Sequence, residues 1–440
     1  MSTTTPEKIR VEPETVAPAV QAANFIHLYW DVAWFGVAFG STLSFLAVFA
    51  ARLGAAGWQV GLLSAGPALV NTLVTLPAGR WLETRPLGRA VVQTAAWQRL
   101  GFFLMIPLPL LLPDSLKVWA VLLLSLLMAI PGTALAIGFN ALLATTVPPE
   151  ARGRVVGRRN SLLAGAIMVA FVLSGWILDM LPFEWGYATV FALGALGAGL
   201  STYHLSRIQV PPIPQFQIRP LQDQAQPGRG AGLSGDAPQR MSIGMRLWLR
   251  WRPAPLGLMS SISPQFWWVM LAFFLFHFSQ LLPTALFPLF WVREVQLSDG
   301  EIGWVNAVFY LTMLLVSPLL EPLTRRLGNH RLAVVGSILL ASYPLITALS
   351  SGLALLLVAS VAGGTIWAIL SGALVNRLLE VIPEDKRPSH FALYNLVLNV
   401  AMLSSTMLGP ILADVVGLRE ALFIIVTLRV GSGLAMARWG

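Results

Sequence analysis

Long apolar runs separated by short polar junctions fill most of this chain, and their lengths set its architecture. A membrane span needs about 20 mostly apolar residues. On that rule the pattern predicts helices near 24–50, 58–79, 90–112, 116–146, 161–181 and 185–205, then near 265–292, 302–323, 331–350, 352–376, 390–414 and 419–437. The junctions at 181–185 and 350–352 are so short that the helices they join must be antiparallel neighbours. The expected fold is therefore an all-α membrane protein of about 12 transmembrane helices in two pseudo-symmetric six-helix bundles. Residues 1–23 read as a disordered cytoplasmic tail, 24–206 and 264–440 as the two bundles, and 207–263 as a cytoplasmic linker. The linker is rich in Pro, Gln and Gly, a composition without the means to pack a core. Near its end, Met241 to Trp251 reads either as a short interfacial helix or as an extension of the seventh span.

Composition agrees. Of 440 residues, 56% are hydrophobic and 11% charged, against about 25% charged in ordinary soluble domains. The net charge of +9 is spread through the junctions rather than gathered on one face, so it reads as an orientation signal and not as a nucleic-acid surface. Of the 29 basic residues, only Arg52, Lys117, Arg293 and Arg419 fall at predicted outer junctions, and only Arg99 and Arg429 inside predicted spans. That bias places both termini in the cytoplasm, and the location expected is a cell (inner) membrane. Residues 1–22 lack the basic start and short apolar core of a signal peptide. The absence of cysteine excludes disulfides and thiolate chemistry. No phosphate-binding Gly-rich Lys loop, His-Glu-x-x-His or Gly-x-Ser-x-Gly motif occurs, and no cofactor or metal is expected.

The two sets of helices repeat one another. Thr84-Arg85-Pro86-Leu87-Gly88 follows the second span, and Thr324-Arg325-Arg326-Leu327-Gly328 follows the eighth. A constant spacing then pairs Arg152 with Arg387, Asn160 with Asn395 and Asp179 with Asp414. Parallel six-helix repeats joined by a long linker are a transporter architecture, with the solute held near the midplane between them. On these residues the chain resembles the major facilitator superfamily over nearly its whole length. The family's loop pattern, Gly-x-Leu-Ala-Asp-Arg-x-Gly-Arg-Arg, is matched in the second copy by Leu323, Arg326 and Gly328, with Arg325 at the aspartate position. In the first copy Gly88 and Arg89 match, Arg85 takes the aspartate position, and Glu83 is a candidate displaced acid. The resemblance implies a latch between the halves built from such residues. The Gly-x-x-x-Gly-Pro signature of many proton antiporters is missing from the fifth span, which reads Leu173-Ser-Gly-Trp-Ile.

A charge inside a bilayer costs several kcal/mol, so each one is a functional candidate. Asp31 leads. At about 100° per residue Asn24, His27, Asp31, Phe35, Ala38 and Thr42 share one helix face, which is expected to line a polar cavity flanked by Trp34. Proton exchange at Asp31 and fixed ion pairing are both open. Arg99 offers an anionic-substrate contact, a balance for Asp31, or a pair with Glu83. His277, Gln280 and Thr284 form a second stripe on the seventh span, read as substrate or proton contact or as ordinary carbonyl-bonded polarity. Asn306 and Tyr310, and Asn395 and Asn399, are pairs four apart that suit interhelical bonding or solute contact. Asp179 and Asp414, at outer helix ends, suggest a gate engaging Arg293 or Arg52. Arg152 and Arg387 suggest its inner counterpart. Trp30, Trp34, Trp267, Trp268 and Trp291 suit interfacial belts.

The function expected from all this is secondary active transport of a small organic solute by rocking of the two halves, with proton coupling through Asp31 as a refinement. The sparse charge favours a neutral or amphipathic solute over a polyanion; a cavity with clustered arginines would reverse that preference. The partners expected are the solute, protons, lipid and no second subunit. A non-transporting sensor or assembly factor, and a lipid-acting enzyme, are the alternatives; the enzyme lacks a third catalytic group beside Asp31 and His27.

Overall fold

In hydrocarbon every backbone N–H and C=O needs an internal partner, which leaves the helix as the economical solution for a chain so apolar. The computed structural model describes residues 18–210, 263–382 and 387–440, and among them there is no strand. Twelve helices follow one another: α1 (18–52), α2 (Gly57–Glu83), α3 (87–111), α4 (Asp114–Thr146), α5 (Pro149–Met180), α6 (Phe183–Ser206), α7 (Pro264–Glu294), α8 (Asp299–Leu327), α9 (Asn329–Leu349), α10 (Leu353–Val381), α11 (Arg387–Val416) and α12 (Leu418–Trp439). Ten are long and apolar enough to cross a membrane by composition alone, and α3 and α6 complete the count. The tail at 1–17 and the linker with its Met241–Trp251 segment lie outside the described residues. Arg80, Arg85, Arg89, Arg152, Arg154, Arg158, Arg325 and Arg326 gather at one end of the bundle, called here the basic end.

Several helices start earlier than the apolar runs that announce them. α5 begins at Pro149, about a dozen residues before its apolar core, so its first turns carry Arg152, Arg154, Arg158 and Arg159. Others are broken. In α7 the regular helix stops at Leu281, a 3₁₀ turn spans Leu282–Thr284, and a π turn spans Phe290–Glu294. Pro283 causes the first break, because it has no N–H to give to the carbonyl of Ser279. α9 breaks after Leu339, where Pro344 has no N–H for the carbonyl of Leu340, which takes a weaker bond from Tyr343 N at 3.2 Å instead. The side chain of Arg429 on α12 supplies what both prolines remove. Its Nε donates to Ser279 O at 3.3 Å, Nη1 to Leu340 O at 2.9 Å and Nη2 to Gln280 O at 3.2 Å. Arg429 is buried and has no carboxylate partner among the described residues. The negative ends of two interrupted helices serve as its counter-charge.

Where apolar side chains pack decides how the halves meet. At the end opposite the basic one, two cores draw on both: Phe45, Phe49, Phe171 and Tyr187 from the first half interlock with Leu286, Phe290, Trp291 and Ile302 from the second, and Ala50, Val60 and Leu122 meet Ala285 and Leu289. Trp291 is thus a core residue rather than part of an interfacial belt. Toward the basic end the halves have separate cores, one around Leu28, Val91 and Leu142, the other around Phe273, Leu370 and Met436. Glycines bring the backbones together at the shared end. A methyl group on Gly303 of α8 would sit 2.6 Å from the Phe171 carbonyl of α5, and one on Gly61 of α2 2.6 Å from the Thr406 carbonyl of α11. α5 against α8 and α2 against α11 are equivalent pairs in the two-fold repeat.

Candidate functional site

The predicted stripe on α1 divides in the folded chain. Asn24 exchanges two 2.9 Å hydrogen bonds with the backbone of Gln209, His27 Nδ1 lies 3.0 Å from His204 Nδ1, and Thr42 is buried against Gly194. Gly197 lets α6 approach so closely that a methyl group there would sit 2.7 Å from Trp34 O. Most of the stripe is therefore the seam between α1 and α6, not a cavity wall. Trp34 stacks on Trp30 with ring centroids 6.5 Å apart, and neither lines the cavity beside Asp31.

Asp31 and Phe35 do face a cavity, of about 320 Å³, between α1, α3, α4 and α5 in the part of the first bundle nearer the basic end. Asp31 accepts one hydrogen bond, from Ser201 Oγ at 2.5 Å. Two guanidinium groups flank it without bonding it: Arg99 Nη2 lies 3.8 Å from Oδ1 and Arg159 Nη2 3.6 Å from Oδ2. Arg99 Nη1 donates to Thr202 Oγ1 at 3.0 Å, and its Nε is buried without a partner. Arg159 Nε donates to Leu28 O at 3.3 Å, and its guanidinium rests 4.5 Å from the Phe139 ring centroid. The three ionic side chains are only 5–12% exposed. Gln98 and Gly132 connect this cavity to a second, of about 350 Å³, which holds Asn71, Ser64 and Ser125. Arg99 thus stands beside Asp31 and not with Glu83. Arg159 escaped the sequence reading because it precedes the apolar run of its helix; its neighbour Asn160, which lines the same cavity, was the available signal.

The second half answers with neutral groups. His277 Nε2 lies 3.0 Å from the hydroxyl of Tyr394, linking α7 to α11. Tyr394 stands at the repeat position of Arg159, by the spacing that relates Asn160 to Asn395. Gln280 Oε1 is buried without a hydrogen-bond partner. Asn306 and Asn399 donate back into their own helices, and Tyr310 stacks on Phe171 across the α5–α8 contact.

Polar links between the halves sit opposite the basic end. Arg52 on α1 donates through Nε and Nη2 to Asp299 Oδ1 at 3.1 and 3.0 Å, and also to Leu297 O. Tyr187 donates its hydroxyl to Asp299 Oδ2 at 3.1 Å. Asp179 accepts from Ser298 Oγ at 2.9 Å and Gly300 N at 3.0 Å, which places a carboxylate on the positive end of α8. Asp414 lies against Gly57 at the start of α2, the equivalent position in the repeat. The two acids therefore reach across to helix N-termini. Neither engages Arg52 or Arg293, since Arg52 has Asp299 and Arg293 donates to Ala55 O. At the basic end, no ion pair between the halves occurs among the described residues. Arg325 bonds Glu321 in its own helix at 2.6 Å, Arg85 covers the Trp81 ring, and Arg152 donates to Ala144 O and Val147 O. Glu83, Arg89 and Arg326 form no ion pair there, and the side chain of Arg387 lies outside the described residues.

Twelve helices in two repeated halves, with a polar cavity and a seal at one end, define a transporter fold. The Major Facilitator Superfamily model matches residues 32–296 and 269–439, and the chain belongs to that family. Among solved structures it is similar to a bacterial homologue of the iron transporter ferroportin in an inward-facing state (TM-score 0.67, 15% identity, covering 97% of this chain and 99% of that one). A D-xylose–proton symporter (0.66, 14%, 96% and 97%) and a nucleoside transporter (0.62, 13%, 96% and 98%) are similar to a comparable degree. At such identities the likeness is one of fold. No curated protein matches the sequence.

Proposed function

We propose that this protein is a secondary active transporter that moves a small organic solute by alternating access, and that its structure is the state open toward the cytoplasm. The observation that carries the reading is the uneven packing of the halves: shared cores at the far end, separate cores at the basic end. In this reading the basic end faces the cytoplasm of a cell (inner) membrane, an orientation that the distribution of Lys and Arg supports. The solute enters the cavities around Asp31 and Gln98. Rocking then breaks the Arg52–Asp299 link and brings the basic ends together, where Glu83, Arg85, Arg89, Arg152, Arg325, Arg326 and Arg387 stand ready to latch. Each half keeps its own core through this motion, so the chain works as a monomer. Asp31 is the one carboxylate lining the cavity, and it carries the coupling proton where flux is proton-driven.

The test is expression of the wild type and Asp31→Asn in a host lacking its main exporters, with small molecules profiled in cells and medium. A solute redistributed by the wild type and not by the variant is the expected result. No redistribution of any solute, with both proteins in the membrane, would sink the transporter reading. A solute moved equally well by both would remove Asp31 from the mechanism.

A further inference from the structure

We infer that the Asp31–Arg99–Arg159 cluster is a binding site for the charged head of a small organic monoanion, a carboxylate above all, whose apolar body lies against Phe35 and Phe139. This deepens the transporter reading and rests on it. The geometry is that of a site left open, not of a finished ion pair. Where this protein uses an ion pair for structure it closes it: Arg52 to Asp299 at 3.0 Å, Lys117 to Asp114 at 2.7 Å. Around Asp31 both guanidinium groups stop at 3.6 and 3.8 Å, beyond hydrogen-bond length. Their donors are unspent. A guanidinium carries five N–H groups, yet Arg99 has one side-chain hydrogen bond and a buried Nε with none, and Arg159 has one bond to a carbonyl. Such donors, the buried Nε of Arg99 above all, are open to a ligand that pairs them. Planar two-oxygen anions match a guanidinium fork in two parallel bonds, and arginine is the side chain suited to that contact.

The charge count narrows the class. Two guanidinium groups face one carboxylate, so the empty site has a formal excess of one positive charge. A monoanion neutralises it; a dianion brings a second charge that meets no further cation, because the remainder of the lining is apolar or amide. A neutral solute leaves the excess uncompensated. The expectation of a neutral or amphipathic solute over a polyanion, drawn from the composition, is thereby narrowed to an amphipathic monoanion. That composition could not reveal Arg159 beside Arg99.

The purified full chain in detergent decides this, with acetate, hexanoate, benzoate and indole-3-acetate each titrated against its own primary amide and the thermal midpoint recorded. At least one acid is expected to raise the midpoint saturably while its amide does not. Arg99→Gln and Arg159→Gln are expected to weaken that acid about tenfold or more, the loss of a charge-assisted pair, while Arg159→Lys keeps the preference for acid over amide. Asp31→Asn doubles the positive excess and is expected to shift preference from benzoate to phthalate, which a merely structural Asp31 would not do. The inference is overturned if no acid binds better than its amide, or if the binding acid is indifferent to both Gln variants. Solute counterflow into proteoliposomes separates the two readings. Exchange of a neutral solute without anion binding removes the anion site and keeps the transporter; anion binding without exchange of any solute does the reverse.

Discussion

Replacing Arg429 by Met should cost about 3 kcal/mol or more of folding stability. The reason is local and countable. Ser279 O loses its helical donor to Pro283, Gln280 O lies in the same break, and Arg429 serves both; it also adds a second donor to Leu340 O, which already accepts from Tyr343 N. Each buried carbonyl left unpaired costs about 1–3 kcal/mol, and methionine fills the space without donating. Lysine, with one ammonium in place of a fork, recovers only part. A double-mutant cycle isolates the cause. In a Pro283→Ala background the chain can supply its own N–H to Ser279 O, so Arg429→Met should then cost less by about 1 kcal/mol. Unfolding of the purified protein in detergent reads all four variants. An undiminished cost in the Pro283→Ala background would show that the arginine acts in some other way.

The second large effect is expected at the far-end seal. Asp299→Asn should loosen closure and raise the population open at that end at least tenfold. Asp299 takes two hydrogen bonds from Arg52 and one from Tyr187, and its side chain is only 11% exposed. Hydrogen bonds to charged groups contribute about 1.5–3 kcal/mol, and about 1.4 kcal/mol moves a two-state population tenfold. Because the sequence contains no cysteine, a single introduced thiol reports cleanly. Ile302 is buried in the shared core, so a cysteine at Ile302→Cys should be modified by a membrane-impermeant maleimide slowly in the parent and faster with Asp299→Asn. Equal rates would place the seal in the apolar core and the glycine contacts alone.

How much of this could be read from the sequence depends on which interactions are local. Helix number and the repeat follow from apolar length and spacing, which each segment carries by itself, while the family entered as a resemblance in the loop residues around Gly88 and Gly328. The pairing of Asp179 with Asp414 across the repeat was visible; their partners, the N-termini of α8 and α2, were not, because which end of which helix lies opposite is set by packing. The α1 stripe misled for a related reason. Period alone cannot tell a cavity wall from a seam, and the deciding residues, Gly194 and Gly197, lie on a different helix. Arg159 was hidden by the convention that a span begins where the apolar run begins. Arg429 was conspicuous as a charge inside a span, but its task depends on two prolines in helices far from it in sequence.

The count of charges around Asp31 has an electrical consequence. An empty site with one surplus positive charge is drawn toward the negative, cytoplasmic side of an energised membrane, with about 2.3 kcal/mol at stake per elementary charge per 100 mV of potential fully crossed. Loaded with a monoanion, the same site is neutral and reorients without regard to voltage. Membrane potential would then act on the return of the empty protein rather than on the loaded step. Without a coupled cation, it would turn a symmetric carrier into a rectifier that favours efflux.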